Sequence, residues 1–220
     1  FAFTNVTDLE VKSPTYLPVK WKKWDAPALF SGGSQKASSM VRAGELVVDC
    51  PPDGTYGATT AGWLYWNFVT DNQGLNENGY NGLKFVKLGN GTLDPGDDLG
   101  ALGITGVEIK EGQYVARDDN RLGKAKSAVK VHDGGCLCLA GGGKNIDSRT
   151  VEFEGNGVNS TQKAIRFTGS AIWNKVSSAT WKLTGDATMY ENVGSDSNGD
   201  FLWSAFDMGG HTLTLTGKSG

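Results

Sequence analysis

The last strand-like segment of the chain places the tightest constraint on the fold. Thr212–Thr216 alternates threonine with leucine, and glycine stands at positions 210 and 217. Strict alternation of this kind is typical of a strand that buries one face. Weaker copies of this glycine-bounded strand recur upstream, as in Trp181–Gly185. Because one such strand cannot bury its apolar face alone, the pattern predicts a stack of similar rungs rather than a globule around one pocket.

The composition agrees with many short strands joined by turns. The 220 residues include 32 glycines and 6 prolines, and they suffice for one large all-β domain or for one domain with a smaller neighbour. The net charge of −3 does not indicate the basic surface that nucleic-acid-binding proteins use, so we expect no nucleic-acid partner. No apolar run approaches the length of about 18 residues that a membrane helix requires. The chain begins at Phe1 without a secretory leader, and we expect a processed chain or an excised piece.

The three cysteines do not form the pattern of a metal site. Zinc sites combine several cysteines and histidines at close spacings, whereas this chain offers Cys50, Cys136, Cys138 and 2 histidines. Cys136 and Cys138 share one face of a predicted strand, with Leu137 and Leu139 on the other. We expect two small, buried or half-buried side chains there, and we predict no metal and no cofactor. A disulfide from Cys50 to either of the other cysteines remains an open alternative.

Regular strand patterns begin near residue 83 and divide the chain into two parts. Residues 1–82 are aromatic-rich and less regular, and we predict that they form a cap or irregular first rungs, although Gly44–Cys50 has the pattern of a strand. Residues 83–220 carry the predicted solenoid repeats. Helix signals are nearly absent, and only Asp118–Val131 suggests a turn of helix. These features favour an all-β fold with a less regular N-terminal part.

Several segments of residues 83–220 resemble the autotransporter-associated β-strand repeat. Phe85–Leu93 is similar to the glycine-rich opening of that repeat, and Leu183–Thr188 and Gly209–Gly217 are similar to its later strands. The resemblance implies a right-handed parallel β-helix in a secreted or cell-surface bacterial protein, as in autotransporter passengers. It implies no catalytic residues. Further segments that carry the resemblance are Val107–Val115, Arg121–Gly123, Gly155–Val158, Ala164–Ile165 and Trp173.

The acidic residues do not form the converging pair that a polysaccharide-cleaving β-helix requires. The doublets Asp97–Asp98 and Asp118–Asp119 lie in predicted turns, where aspartate commonly bonds its own backbone. Glu152 and Glu154 share one strand face, as expected for a solvated outer surface. Neither histidine lies near a serine or cysteine nucleophile in a strand-to-helix elbow. We therefore assign no catalytic residue and expect no enzyme.

Two pairs of residues indicate binding or assembly instead. Trp63 and Trp66 fall three apart on a predicted strand, so we expect at least one to be exposed for stacking on a glycan, unless both pack in the core or a cap. Leu213 and Leu215 lie on the last strand, whose open edge would accept another strand.

We expect a non-catalytic extracellular or cell-surface scaffold for adhesion or assembly. Its expected partners are neighbouring rungs of a longer chain, a second copy joined end to end, or cell-surface glycans. Two alternatives remain open: the subunit of a self-assembling extracellular filament, and a carbohydrate-binding module or polysaccharide-active enzyme.

Overall fold

A parallel β-solenoid forms the described part of this chain. The computed structural model describes residues 38–42, 44–50, 55–57, 81–95, 99–101, 103–140, 146, 148–168, 179–192 and 205–217. These residues form a 14-stranded sheet, and all its strand pairs are parallel except the first. The predicted all-β solenoid is confirmed.

Two columns of stacked strands build the solenoid, and from β2 onward the chain alternates between them. The first column contains β1 (Ser38–Arg42), β2 (Glu45–Asp49), β4 (Lys84–Leu88), β6 (Gly106–Ile109), β8 (Ala128–Val131), β10 (Thr150–Gly155), the first part of β12 (Thr180–Asn192) and β13 (Ala205–Asp207). The second column contains β3 (Thr55–Gly57), β5 (Thr92–Asp94), β7 (Gly112–Ala116), β9 (Gly135–Ala140), β11 (Ile165–Thr168), the second part of β12 and β14 (Leu213–Gly217). Because β12 is long enough to serve both columns, it joins them into one sheet.

Equivalent interior residues recur at a constant spacing in the middle of the first column. Phe85, Val107, Val129 and Val151 are successive register partners, at steps of 22 residues. All four side chains are buried. Since parallel strands lie about 4.8 Å apart, each apolar side chain is covered by the equivalent residue above and below it. This stacking creates the interior that no single rung could bury alone.

Aromatic rings continue the interior towards β13. Trp181 is fully buried and stacks on Phe206, with ring centroids 6.5 Å apart and an interplanar angle of 14°. Phe153 meets Trp181 edge to face, with centroids 6.2 Å apart. Aromatic pairs of this geometry contribute about 0.5–1.5 kcal/mol beyond the area that they bury. The apolar interior therefore extends along the column as far as β13.

The corner between β6 and β7 requires a glycine. Gly112 has a φ of 67°, a left-handed conformation that glycine adopts without strain. A Cβ at this position would lie 2.5 Å from the carbonyl oxygen of Gly91 and 2.6 Å from Nζ of Lys87. Only a residue without a side chain fits between these neighbours, which allows successive corners to pack closely.

A buried arginine orders the connection between β7 and β8. This connection contains a single 3-10 turn at Asp119–Leu122, so the helical turn predicted within Asp118–Val131 is confirmed. The Arg149 guanidinium pairs with both carboxylate oxygens of Asp119, at 2.5 and 2.8 Å. It also donates to the carbonyl oxygens of Gly123 at 2.9 Å and Lys124 at 2.8 Å. Arg149 thus satisfies backbone groups that the irregular connection leaves without strand partners.

The parallel ladder extends to the N-terminal side of residue 83. β2 pairs with β4 and β3 pairs with β5, both in parallel, so the strand predicted at Gly44–Cys50 is confirmed. β1 then lies antiparallel to β2. These strands fit the alternative of irregular first rungs, and the boundary at residue 82 stays a prediction.

Adjacent residues of β8 provide a test of the interior and exterior assignments. Val129→Ala removes buried methyl groups between Val107 and Val151, and we expect it to lower the free energy of unfolding by about 2 kcal/mol. Lys130→Ala, on the opposite face, should change it by less than about 0.5 kcal/mol. Denaturant unfolding of both variants gives the two values. Equal losses in the two variants would contradict the assigned faces of β8.

Candidate functional site

Charged side chains cover much of the outer face of the first column. Alternate residues of β6, β8 and β10 face the interior, which leaves the intervening residues on the outside. In-register stacking then places the charges of successive strands next to each other. We call this group the charged face; it consists of Glu45, Lys84, Glu108, Lys110, Lys130, His132, Glu152, Glu154 and Lys182.

Glu108 is the most densely contacted member of the charged face. Its carboxylate accepts hydrogen bonds from Lys84 and from Nε2 of His132, the latter at 2.8 Å, and Nζ of Lys110 lies 3.6 Å away. The Glu108 side chain is 12% exposed. Burial alone would raise the pKa of Glu108, but these hydrogen bonds and the charges of Lys84 and Lys110 outweigh it and lower the pKa to about 2. Glu108 is therefore ionised throughout the physiological range.

The neighbours of Glu108 extend this network across further strands. Lys84 also pairs with Glu45, at 2.9 Å. Burial opposes the charge of Lys84, but its bonds to the two glutamates raise its pKa overall. On the other side, Nδ1 of His132 lies 3.8 Å from Glu154, which accepts a hydrogen bond from Thr184 at 3.2 Å. The network therefore ties together strands from β2 to β12.

The outer-face carboxylates predicted on β10 lie where the alternation places them. Glu152 and Glu154 are partly exposed, whereas Val151 and Phe153 are buried. Glu152 pairs with Lys182 of the next strand at 3.2 Å. Both glutamates therefore engage polar groups of neighbouring strands. These contacts offset the charge of the two glutamates with polar groups of the neighbouring rungs.

A buried lysine, Lys87, lies near the end of β4 and reaches the corner that follows. Its register partner in β6 is Ile109, so Lys87 interrupts an otherwise apolar row. The ammonium donates to the carbonyl oxygens of Leu88 at 3.0 Å, Glu111 at 2.8 Å and Gly89. Burial lowers the pKa of Lys87. Because an ammonium has three N–H donors, these three carbonyls satisfy it completely, and the group serves to fasten the corner.

The cysteines are buried free thiols. Cys136 and Cys138 share one face of β9 and pack with Val115, as the alternation predicts, while Leu137 lies in the main interior. The structure forms no disulfide, so the proposed pairing with Cys50 does not occur in it. Burial raises the pKa of Cys50 to about 12 and raises that of Cys136 well above its usual value. These thiols are therefore neutral at physiological pH and are not poised as nucleophiles.

The predicted assembly residues lie at an uncovered end of the described ladder. Leu213 is partly buried against the interior, and Leu215 is 66% exposed. Each continues an interior row of the second column, because Leu213 is the register partner of Ala187 and Leu215 that of Met189. Among the described strands, β14 pairs only with β12. Within the described residues, the outer edge of β14 therefore has no strand partner, and the apolar Leu215 is exposed beside it.

The remaining predicted positions divide into two groups. Trp63, Trp66 and the Asp97–Asp98 doublet lie outside the described residues, so their roles stay predictions. Asp119, by contrast, is structural, because its carboxylate binds the buried Arg149. Glycan stacking by the two tryptophans consequently gains no support or contradiction from the described part of the chain.

Sequence reasoning missed the contacts around Glu108 and the buried polar corners. The signal for the first was present, because the 22-residue register places Glu108, Lys130 and Glu152 in one row. No comparable signal marks Lys87 or Arg149, since their roles depend on how the corners turn.

Comparisons with known proteins assign no family to this chain. No protein-family model matches it, and neither does any curated protein or solved structure. Within the described ranges, no group of three or more histidine, cysteine, aspartate or glutamate side chains is placed to hold a metal ion. The same ranges contain no helix that is long and apolar enough to cross a membrane.

The lowered pKa of Glu108 predicts a pH-dependent contribution to stability. A carboxyl whose pKa falls from 4.5 to about 2 on folding stabilises the fold above pH 4.5, and this contribution is lost as the pH falls towards 2. We expect Glu108→Gln to cost about 1–2 kcal/mol at pH 7, because the partly exposed partners are screened by solvent, and almost nothing near pH 2. Denaturant unfolding between pH 2 and 7 measures the difference.

Glu152→Gln is the matched control for that experiment. Glu152 is more exposed than Glu108, at 30% against 12%, and pairs with the exposed Lys182, so its loss should cost less than about 0.5 kcal/mol at pH 7. A cost for Glu108→Gln that is equally small, or that does not change with pH, would contradict the assigned network.

Burial of the thiols predicts that they resist alkylation. In the native chain, Cys50, Cys136 and Cys138 should react with a charged thiol reagent only as fast as the protein opens, and in denaturant all 3 should react rapidly without a reductant. Mass spectrometry counts the modified cysteines. Rapid labelling of the native chain, or a cysteine that reacts in denaturant only after reduction, would contradict their assignment as buried free thiols.

Proposed function

We propose that this chain is a non-catalytic structural or adhesive β-solenoid of a bacterial cell surface or secreted protein, comparable to a segment of an autotransporter-like passenger. The observation that carries the proposal is the stacked interior, whose Phe85, Val107, Val129 and Val151 provide length and rigidity through identical contacts. The paired charges of the outer face support the same role, because they stabilise the stack. The resemblance of residues 83–220 to the autotransporter-associated repeat supports the location.

Surface exposure on native cells tests the location. Intact cells of the source organism, treated with an antibody against this chain or with an external protease, should show binding or cleavage without lysis. A periplasmic protein serves as the negative control. If the chain becomes accessible only after lysis, and none is found in the medium, the proposed location is wrong.

A screen of polysaccharides separates the adhesive role from the enzymatic alternative. We expect at most binding, with no release of reducing ends or unsaturated sugars. The variants Trp63→Ala and Trp66→Ala test the predicted glycan contact, and at least one of them should weaken any binding. Turnover by the purified chain that Glu108→Gln or Glu152→Gln abolishes would replace this proposal with a catalytic one.

End-to-end association is a second candidate function, favoured by the exposed Leu215 on the outer edge of β14. The occupant of this edge is either a second copy of the chain or the neighbouring rung of a longer chain. A free strand edge with an apolar row is the feature that such additions use.

Light scattering and electron microscopy distinguish these two occupants. For self-assembly, the mass should rise with concentration above the 23.3 kDa of one chain, and filaments should appear. Leu215→Lys should then hold the chain at one copy, whereas the exposed control Thr214→Lys, which points away from the interior, should reduce association less. A constant single-chain mass at all concentrations would contradict self-assembly and leave the neighbouring rung of a longer chain as the occupant.

A further inference from the structure

Two copies of the tripeptide Asn-x-Thr lie in the described part of the chain. They are Asn90-Gly91-Thr92 and Asn159-Ser160-Thr161, and a third copy, Asn5-Val6-Thr7, lies outside the described residues. This tripeptide is the acceptor pattern for N-linked glycosylation, in which a sugar is joined to the asparagine side chain. Because so short a pattern also occurs by chance, the surroundings of each asparagine decide what it can do.

The copy at residues 159–161 lies in the connection between β10 and β11. This connection is fastened to the neighbouring rungs. The backbone amide of Asn156 donates to the Asp133 carboxylate at 3.2 Å, and the Thr188 hydroxyl donates to the side-chain oxygen of Asn156 at 2.6 Å. Val158 packs against the cysteine cluster of β9. The turn that follows Val158 is therefore held in a fixed place on the outer surface of the second column.

All three residues of this copy are exposed. Asn159, Ser160 and Thr161 face solvent at the tip of the turn. The backbone amide of Val158 donates to the carbonyl oxygen of Gln162 at 2.7 Å, which closes the turn behind them. An enzyme can therefore reach the side chain of Asn159 without opening any strand of the solenoid.

The turn surrounds the side-chain oxygen of Asn159 with hydrogen-bond donors. Oδ1 of Asn159 accepts from the backbone amide of Thr161 at 3.0 Å, from the Thr161 hydroxyl at 3.2 Å and from the backbone amide of Gln162 at 2.9 Å. A carboxamide nitrogen is a poor nucleophile because its lone pair is delocalised into the carbonyl group. Loss of an N–H proton frees that pair and places negative charge on the oxygen, where fixed donors stabilise it. The turn thus provides an oxyanion hole for its own asparagine.

The nitrogen of the same amide is also oriented by the turn. Nδ2 of Asn159 donates to Oε1 of Gln162 at 2.6 Å. A carboxamide carries two N–H donors, so one remains after this bond. The three donors on one side of the amide and the acceptor on the other side agree in placing the oxygen and the nitrogen of Asn159.

The copy at Asn90 is built into the strand ladder instead. Asn90 is exposed, but the adjacent Gly91 is buried. Gly91 donates to the carbonyl oxygen of Cys50 at 2.9 Å and accepts from the amide of Gln113 at 3.2 Å. Thr92 is the first residue of β5. A transferase that must bend the chain around Asn90 has to break these bonds, whereas the turn at Asn159 is already formed.

Building on the secreted or cell-surface location proposed above, we propose that Asn159 is a site of N-linked glycosylation on the folded chain. The co-substrate is an activated sugar whose anomeric carbon carries a phosphate or pyrophosphate leaving group. Nδ2 of Asn159 forms a bond to that carbon, and the bond between the carbon and the leaving-group oxygen breaks. The oxygen keeps the electron pair of the broken bond, and the N–H proton passes to a base of the cell's glycosyltransferase.

The experiment is mass spectrometry of tryptic peptides from the chain purified from its source cells. Asn159 lies in the peptide Thr150–Lys163, and Asn90 lies in the peptide Leu88–Lys110. We expect Thr150–Lys163 to gain the mass of a sugar, which electron-transfer fragmentation places on Asn159, and Leu88–Lys110 to remain unmodified. A single sugar identifies a nucleotide-activated donor, and a preassembled oligosaccharide identifies a lipid-linked one.

Three variants expressed in the source organism test the role of the turn. Thr161→Ala removes one donor to Asn159 and keeps the backbone bonds, so the modified fraction should fall about tenfold or more. Thr161→Ser keeps a hydroxyl and should retain the modification. Ser160→Ala, at the middle position, is the matched control and should also retain it. Because these side chains are exposed, circular dichroism should show the native fold in all three variants.

Failure of the site and failure of the proposed location give different results. An unmodified Thr150–Lys163 peptide in a chain that intact cells expose would overturn the site alone, and in a chain that is accessible only after lysis it would contradict both proposals. A sugar on Asn159 in such an inaccessible chain would support the site and contradict the location. Equal modification of Asn90 and Asn159, or of Thr161→Ala and the native chain, would overturn selection by the turn. A sugar on the oxygen of Ser160 or Thr161 in place of Asn159 would overturn the nitrogen linkage.

Discussion

Parallel strand pairing in strict register is the constraint on which the rest of this structure depends. Once Phe85, Val107, Val129 and Val151 are register partners, the position of every other side chain in those strands follows from alternation. Apolar residues stack on apolar residues inside. On the outer face, Glu108, Lys130 and Glu152 are successive register partners of alternating sign. A shift by one residue would exchange the two faces and place charges in the interior, so register and burial enforce each other.

The corners between the columns do not share this regular arrangement, and individual residues stabilise them. Strand ladders satisfy backbone groups along each column, but a chain that turns between columns leaves carbonyl groups without ladder partners. Lys87 and Arg149 supply buried donors at two of these places, and each donates to several carbonyl oxygens. Gly112, which has no side chain, allows the backbone to pass close to neighbouring carbonyl oxygens. Buried polar side chains at these corners thus complete the hydrogen bonding of the backbone.

The sequence contains most of the information about the columns and little about the corners. Alternation in Val151–Glu154 predicts which residues face inside, and the structure agrees, because alternation is a local property of a strand. The cluster around Glu108 depends instead on which strand lies beside which, and the constant step of 22 residues was the available clue. The roles of Lys87 and Arg149 arise from the three-dimensional path of the turns, and no local pattern encodes such a path. Family membership, cellular location and the roles of Trp63 and Trp66 remain predictions.

The register itself is the most direct test of this account. Backbone NOE contacts in the isotope-labelled chain should link Val107 with Val129 and Val129 with Val151, in the pattern of parallel strands. Contacts of the same kind should link Trp181 with Phe206 at the far end of the first column. Antiparallel contacts, or parallel contacts displaced by one residue, would contradict the stacked interior and the charged face together.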